Sequence, residues 1–260
     1  MRVLVTVFLV ISSALSAQEP KLDSDKLNDE AIVELSFRSP NRPFEPLVLK
    51  AVEMGVRAGL KTVSYSVSVS KLSRNEPYIL MSWDIGTDAP VVSLQGVRID
   101  ESGTLRCGTK KDCPTGHEGD VLLLRVSGML GEPRRFVLTG SDKKPVAFGE
   151  AIPFPAIGKD KQCTVEAVIL RPNASVTLLI GQGFVPGEEV KRISSSRGET
   201  TGGTSKADAD GRVVSIDLPF VKGYENGQTS ITYQGSKCSP STTFSWGSYR
   251  EEQADKPATP

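Results

Sequence analysis

His117 is the one histidine of this 260-residue chain, and it stands in Thr115-Gly116-His117-Glu118-Gly119-Asp120. An imidazole with two carboxylates within three residues is a grouping that could hold a metal or move a proton. The spacing does not carry either chemistry further. No H-E-x-x-H continues from it, and no G-x-S-x-G elbow occurs that a serine hydrolase would need with this histidine as base. A histidine between glycines reads first as a solvated loop residue, and a hydrolase built around it is the alternative. Paired carboxylates for glycoside cleavage depend on distances in space, which 31 acidic residues leave open.

The other reactive group is the set of four cysteines, Cys107, Cys113, Cys163 and Cys238. With one histidine and no C-x-x-C, zinc is poorly served. Four cysteines allow three disulfide pairings. The expected pairs are Cys107–Cys113, flanking the polar loop Gly108–Asp112, and Cys163–Cys238, tying the start of a carboxy-terminal unit to its last strands. Chain-entropy reasoning assigns about 2 kcal/mol to the short loop and on the order of 4 to the long one. Cysteine catalysis would need a free thiol, which this pairing removes.

Asp208-x-Asp210-Gly211 has the look of part of a calcium loop, but the position two residues earlier is Lys206, whose ammonium would repel the ion. A hairpin turn with Asp210-Gly211 at left-handed positions is the expectation. Trp83 and Trp246 could stack a sugar. Trp83 lies within the apolar Ile79–Trp83 and Trp246 shares strand parity with Phe244, so both are expected in the core. Aromatic residues make up only 6% of the chain, too few to furnish a flat carbohydrate face. The candidate binding residues are therefore His117, Tyr224 and Tyr233. No catalytic residue, metal or cofactor is assigned, and the chain is read as more a binder than an enzyme.

The compartment follows from the first residues. Arg2, the apolar run Val3–Ile11 and the small residues Ser12–Ala17 make a secretory signal peptide over 1–17, with cleavage after Ser16 or Ala17. The run is too short to span a bilayer, no later run reaches the roughly 20 residues required, and membrane insertion is not expected. Export to the periplasm or beyond is the reading, and disulfides suit it. With 31 basic and 31 acidic residues and no basic stripe, nucleic acid is not an expected partner; an envelope or extracellular protein or glycan is.

These residues need elements to place them. Thr62–Ser70 alternates strictly between apolar and hydroxyl residues, the pattern of a strand with one wet face. Leu47–Val56, ambiguous on its own, is expected to be its hairpin partner across Arg57–Leu60. Ala31–Phe37 suits a strand or a helix, and Pro40, Pro43 and Pro46 mark a loop. Further strands are expected at Tyr78–Ile85, Val91–Ile99, Val121–Ser127, Arg134–Thr139 and Val146–Phe154. Pro153–Asp160, with two prolines, a glycine and charges, reads as a boundary. Beyond it strands are expected at Cys163–Leu170, Ser175–Ile180, Glu189–Ser195, Arg212–Leu218, Ser230–Gln234 and Thr242–Trp246, with a short one near Thr204–Ala207.

Gly181-Gln182-Gly183-Phe184-Val185-Pro186-Gly187-Glu188-Glu189-Val190 follows a buried strand, with Phe184 expected to plug the end of a module. This G-x-G-F-x-P-G-E-x-V segment, together with Ala207-Asp208-Ala209-Asp210-Gly211, resembles immunoglobulin-like modules of the IPT/TIG type in bacterial exported proteins. The likeness covers about Cys163 to Trp246, a third of the chain. It implies a sandwich that spaces, adheres or binds, and it names no ligand. A dinucleotide loop is excluded by the glycine spacing and the absence of a following helical pattern.

The expected architecture is all-β, with two immunoglobulin-like antiparallel β-sandwich modules in tandem. The expected boundaries are signal peptide 1–17, polar lead 18–45, amino-terminal module 46–157, carboxy-terminal module 160–247 and a disordered tail 248–260. The expected function is a non-catalytic binding, adhesion or structural module of the bacterial envelope. The alternatives are the hydrolase near His117 and small-ligand binding between the modules.

Overall fold

The computed structural model describes residues 44–57, 60–85, 90–108 and 117–247. The signal peptide, the strand expected at Ala31–Phe37, Cys113 and the tail from 248 lie outside the described residues. No helix among the described residues is long and apolar enough to cross a membrane. The chain is all-β, and its one helical piece among them is a 3-10 turn at Pro172–Ala174.

The amino-terminal half contains strands β1 (Glu45–Arg57), β2 (Leu60–Val69), β3 (Tyr78–Asp84), β4 (Val91–Ile99), β5 (Leu105–Arg106), β6 (Leu123–Val126), β7 (Arg134–Thr139) and β8 (Pro145–Ala151). They form one eight-stranded sheet in the order β5-β4-β3-β7-β8-β1-β2-β6. The expected β1–β2 hairpin is present, antiparallel from Leu47↔Val69 to Arg57↔Leu60. Alternation in β2 works as physics requires: Val63, Tyr65, Val67 and Val69 are buried on one face. The sheet turns over on itself. β1 pairs with β8 only at Glu45 and Pro46, in parallel, and then continues with β2. On the far side, bridges Ser68↔Thr104 and Arg106↔Val121 bring the sheet's two ends together. One sheet thus supplies both layers around a core that includes Leu80, Leu105, Leu122 and Leu138.

The carboxy-terminal half contains β9 (Ala156–Asp160), β10 (Cys163–Ile169), β11 (Thr177–Gln182), β12 (Glu189–Ser196), β13 (Glu199–Lys206), β14 (Val213–Asp217), β15 (Asn226–Gln234) and β16 (Ser241–Gly247). A sheet β14-β11-β10-β9 packs against a sheet β13-β12-β15-β16. Hairpins β12–β13 and β15–β16 stay within one sheet, while the chain changes sheets after β11, β13 and β14. That is the connectivity of an immunoglobulin-like sandwich. Tyr233, Phe244 and Trp246 fill its interior with Ile169 and Leu179.

Two expectations require correction here. Pro153–Asp160 is not a linker throughout: Ala156–Asp160 is β9, paired with β10 from Ala167↔Ala156 to Cys163↔Asp160. A glycine and two charges disguise it, but Gly158 has a packing reason. A Cβ there would fall 1.7 Å from the Ser241 carbonyl oxygen, so only glycine lets β9 and β16 meet. The short strand near Thr204–Ala207 is in fact the eight-residue β13, whose Glu-Thr-Thr-Gly-Gly-Thr-Ser-Lys has no apolar row because it lies at a sheet edge.

The two halves are fastened at one joint. Gly131 donates its N–H to Phe154 at 2.7 Å and accepts from Ile169 at 2.9 Å. Its φ is +79°, and a Cβ would come within 2.6 Å of the Ala167 carbonyl oxygen. Ile85, just beyond β3, is buried in the carboxy-terminal core, while Phe154 packs against the amino-terminal one.

Candidate functional site

Core-facing rows of the amino-terminal sheet begin apolar and turn polar at one end. On β3 the row runs Tyr78, Leu80, Ser82, Asp84; on β7 it runs Leu138, Phe136, Arg134. Where the apolar supply ends, the two layers no longer close, and a cavity of about 560 Å³ remains. That lies within the roughly 300–1,000 Å³ usual for ligand clefts. Its walls are Ser93 and Leu94 of β4 and five consecutive residues, the four of β6 and Ser127 just past it. Ser82 and Asp84 of β3 and Arg134 and Phe136 of β7 form the floor.

Both walls are strand edges without a partner among the described residues. β6 ends the sheet order, with β2 on its other side. β4 meets β5 only at Arg98 and Ile99, which leaves Val91 to Leu94 uncovered on that side. Such edges present backbone donors and acceptors in a row. Electrostatics give the slot a polarity. Arg134 contacts the Asp84 carboxylate, lies 3.8 Å from the buried Glu132 carboxylate and donates from Nε to the Ser127 carbonyl at 3.3 Å. Glu132 in turn accepts from the Met129 N–H at 2.9 Å. The Ser93 hydroxyl donates to that of Ser82 at 2.7 Å. Arg125 is exposed on the rim and makes no side-chain hydrogen bond or ion pair among the described residues.

None of the residues singled out from sequence lies in this slot. His117 is exposed in a turn beside Glu118 and Gly119. Tyr224 is 52% exposed, with the Arg197 guanidinium 5.1 Å from its ring centre. Tyr233 is corrected: it is fully buried, its hydroxyl 2.6 Å from that of Ser215, so it offers no surface. Trp83 is also corrected. It is half-buried outside the core, with Arg135 5.9 Å over its ring, because Leu80 and Ser82 take the core-facing positions of β3. Trp246 is buried as expected, its indole N–H donating to Ser196 Oγ at 2.9 Å.

Cys163 is bonded to Cys238 across 75 residues, joining the start of β10 to the β15–β16 turn. Cys107 is disulfide-bonded, and its partner lies outside the described residues.

The G-x-G-F-x-P-G-E segment proves structural. Phe184 is 4% exposed, edge-on to Tyr233 at 6.1 Å. Glu188 accepts from the Ser236 N–H at 2.8 Å and the Val185 N–H at 2.7 Å, and hydrogen bonding at Ser236, more than at Val185, holds its carboxyl below its ordinary value. Asp208 likewise spends Oδ1 on the N–H groups of Asp210 and Arg212. The turn it caps joins β13 to β14 in the opposite sheet and is not a hairpin; of the expected pair only Gly211 has positive φ.

A second feature absent from the sequence reading is a buried ion pair. Arg192 donates to Asp217 at 3.0 Å and to the Ile216 carbonyl at 2.7 Å, and Ser194 donates to the other Asp217 oxygen at 3.2 Å. Burial raises the Asp217 carboxyl above its ordinary value, against the pull of Arg192 and then of Ser194. Charges separated by 25 positions in the chain gave no local sign of this pairing.

No protein-family model matches the chain. No curated protein matches it. It is similar to a solved tetra-tandem repeat from the extending region of a large adhesion protein, at 11% identity and TM-score 0.26, covering 78% of this chain and 49% of that one. A structure concerning a 1.5-MDa bacterial ice-binding adhesin gives 11% identity and TM-score 0.20, covering 78% and 64%. The BSP domain of a biofilm-associated protein gives 9% and 0.20, covering 84% and 54%. The chain thus spans about half to two thirds of each neighbour's length, and at TM-scores this low none of them bears on its function.

Proposed function

We propose that this protein is a non-catalytic, exported interaction module that takes up an extended segment of another polypeptide in the slot between β4 and β6. The observation that carries this reading is the pair of unpartnered strand edges bounding one cavity. An added strand would hydrogen-bond along Leu123–Ser127, five residues or about 16 Å at 3.3 Å each. Alternate side chains of the guest would turn inward against Leu94, Leu124, Val126 and Phe136, so those are apolar. Arg125 on the rim favours acidic residues at the positions between. Export is supported by the leader-like start and by the Cys163–Cys238 bond. The expected division at 157–160 is shifted so that β9 falls in the second module, giving 46–155 and 156–247, and we read the second as IPT/TIG-like on its G-x-G-F motif and strand order.

The test is crosslinking of tagged mature protein in its host from a photoreactive residue at position 93, with mass spectrometry of what is trapped. Capture of a protein segment is expected. Arg125→Glu should weaken binding by about tenfold, on the order of 1.4 kcal/mol. Filling the slot with Ser93→Trp should abolish it while the thermal melt is unchanged. Capture indifferent to both substitutions would place the partner elsewhere. Glycan alone, or activity lost with His117→Ala in a folded protein, would overturn the reading.

A further inference from the structure

We propose that the slot reads its guest in one direction, taking an extended segment in which a basic residue stands two positions before an apolar–acidic–apolar triplet. This deepens the reading of β4 and β6 as edges that accept a strand, and it rests on that reading. Of the two edges only β6 offers a run long enough for a ladder, since β4 gives the cavity no more than Ser93 and Leu94. On its other side β6 is antiparallel to β2, from Val63↔Val126 to Ser66↔Leu123. An antiparallel ladder is the more stable kind per residue, so the guest runs from Ser127 towards Leu123. Its amino-terminal residues therefore lie at the Ser127 end.

Along β6 Leu124 and Val126 are buried and Arg125 is exposed. Guest residues directly opposite share the faces of their partners. The triplet follows: apolar opposite Val126, acidic opposite Arg125, apolar opposite Leu124. One further inward position remains, two residues before the first apolar one and past the end of β6, and it enters the polar end of the slot. There the Arg134 guanidinium is 3.8 Å from the Glu132 carboxylate, in contact with that of Asp84 and bonded to the Ser127 carbonyl. Two carboxylates against one guanidinium leave this end one negative charge in excess. The Glu132 side chain is 6% exposed, whereas that of Asp84 is 51% exposed and lines the slot. A lysine or arginine of the guest meets Asp84 there. The triplet alone reads the same both ways; the charge at one end is what gives the slot a direction.

The experiment titrates two synthetic peptides of one composition and opposite order into the mature, oxidised protein by isothermal calorimetry. They are Ser-Lys-Thr-Val-Glu-Val-Thr-Ser and Ser-Thr-Val-Glu-Val-Thr-Lys-Ser, acetylated and amidated to remove the terminal charges. The first is expected to bind about tenfold more tightly than the second. Asp84→Asn should erase that difference, while Arg125→Glu should weaken both peptides alike. Equal affinities in the wild type, or a preference for the second peptide, overturn the proposal and leave the slot a strand acceptor without direction. A preference that survives Asp84→Asn overturns it as well. If neither peptide binds, the proposal falls, and trapping from position 93 then decides whether the slot reading falls with it.

Discussion

At the scale of single residues, two carboxyls shifted in opposite directions, one buried and one near the surface, set the pH behaviour. The Asp217 carboxyl is raised above 3.8 by burial, so the folded protein takes up that proton more readily than the unfolded chain. Its effect on stability is therefore present in acid and is lost as pH rises through the folded-state value. Asp100 is the reverse. Hydrogen bonds from the Ser102 side chain and from Arg106 hold it well below its ordinary value, and its contribution, present above 3.8, is lost as pH falls through the folded-state value. Urea midpoints should show this directly. Between about pH 4 and about pH 7 Asp217→Asn gains on wild type, while the deficit of Asp100→Asn stays nearly level over that range and shrinks only as pH falls below 3.8. Phe184 illustrates the apolar side of the same scale. Closed over the sandwich end against Tyr233, its replacement by alanine is expected to cost about 3–5 kcal/mol, read from denaturant unfolding.

Among the elements, the joint at Gly131 is the point where strand geometry in one half meets that of the other. Gly131→Ala must place a Cβ where the Ala167 carbonyl stands and hold a positive φ. The two hydrogen bonds to Phe154 and Ile169 should open, costing on the order of 2–3 kcal/mol and separating the unfolding of the halves in a calorimetric scan. A single cooperative transition with unchanged midpoint would show that Ile85 and Phe154 alone hold the joint. Strands with a clean alternation, such as β2 and β15, were legible in the sequence because their inward rows are wholly buried. β9 and β13 were not, since the features that define them are a neighbour's close approach and an edge position. Those are relations between strands, and a local pattern does not encode them.

For the whole molecule, the Cys163–Cys238 bond closes a loop of 75 residues around the carboxy-terminal sandwich. Replacing both cysteines with alanine is expected to lower its stability by about 4 kcal/mol. The amino-terminal half should lose much less, so the melting order of the two halves should change. The sequence by itself determined the all-β character, the strand rhythm, the positions of most strands and the pairing of Cys163 with Cys238, because alternation and spacing are local and additive. Only the tertiary structure decided that Tyr233 is interior, that Trp83 is not, and that β4 and β6 leave a slot between them. Ser82, Asp84 and Arg134 read as ordinary polar strand ends until the sheet turns over and brings three such ends to one place. Which edges stay open depends on strand order, and strand order is set by packing across the whole chain.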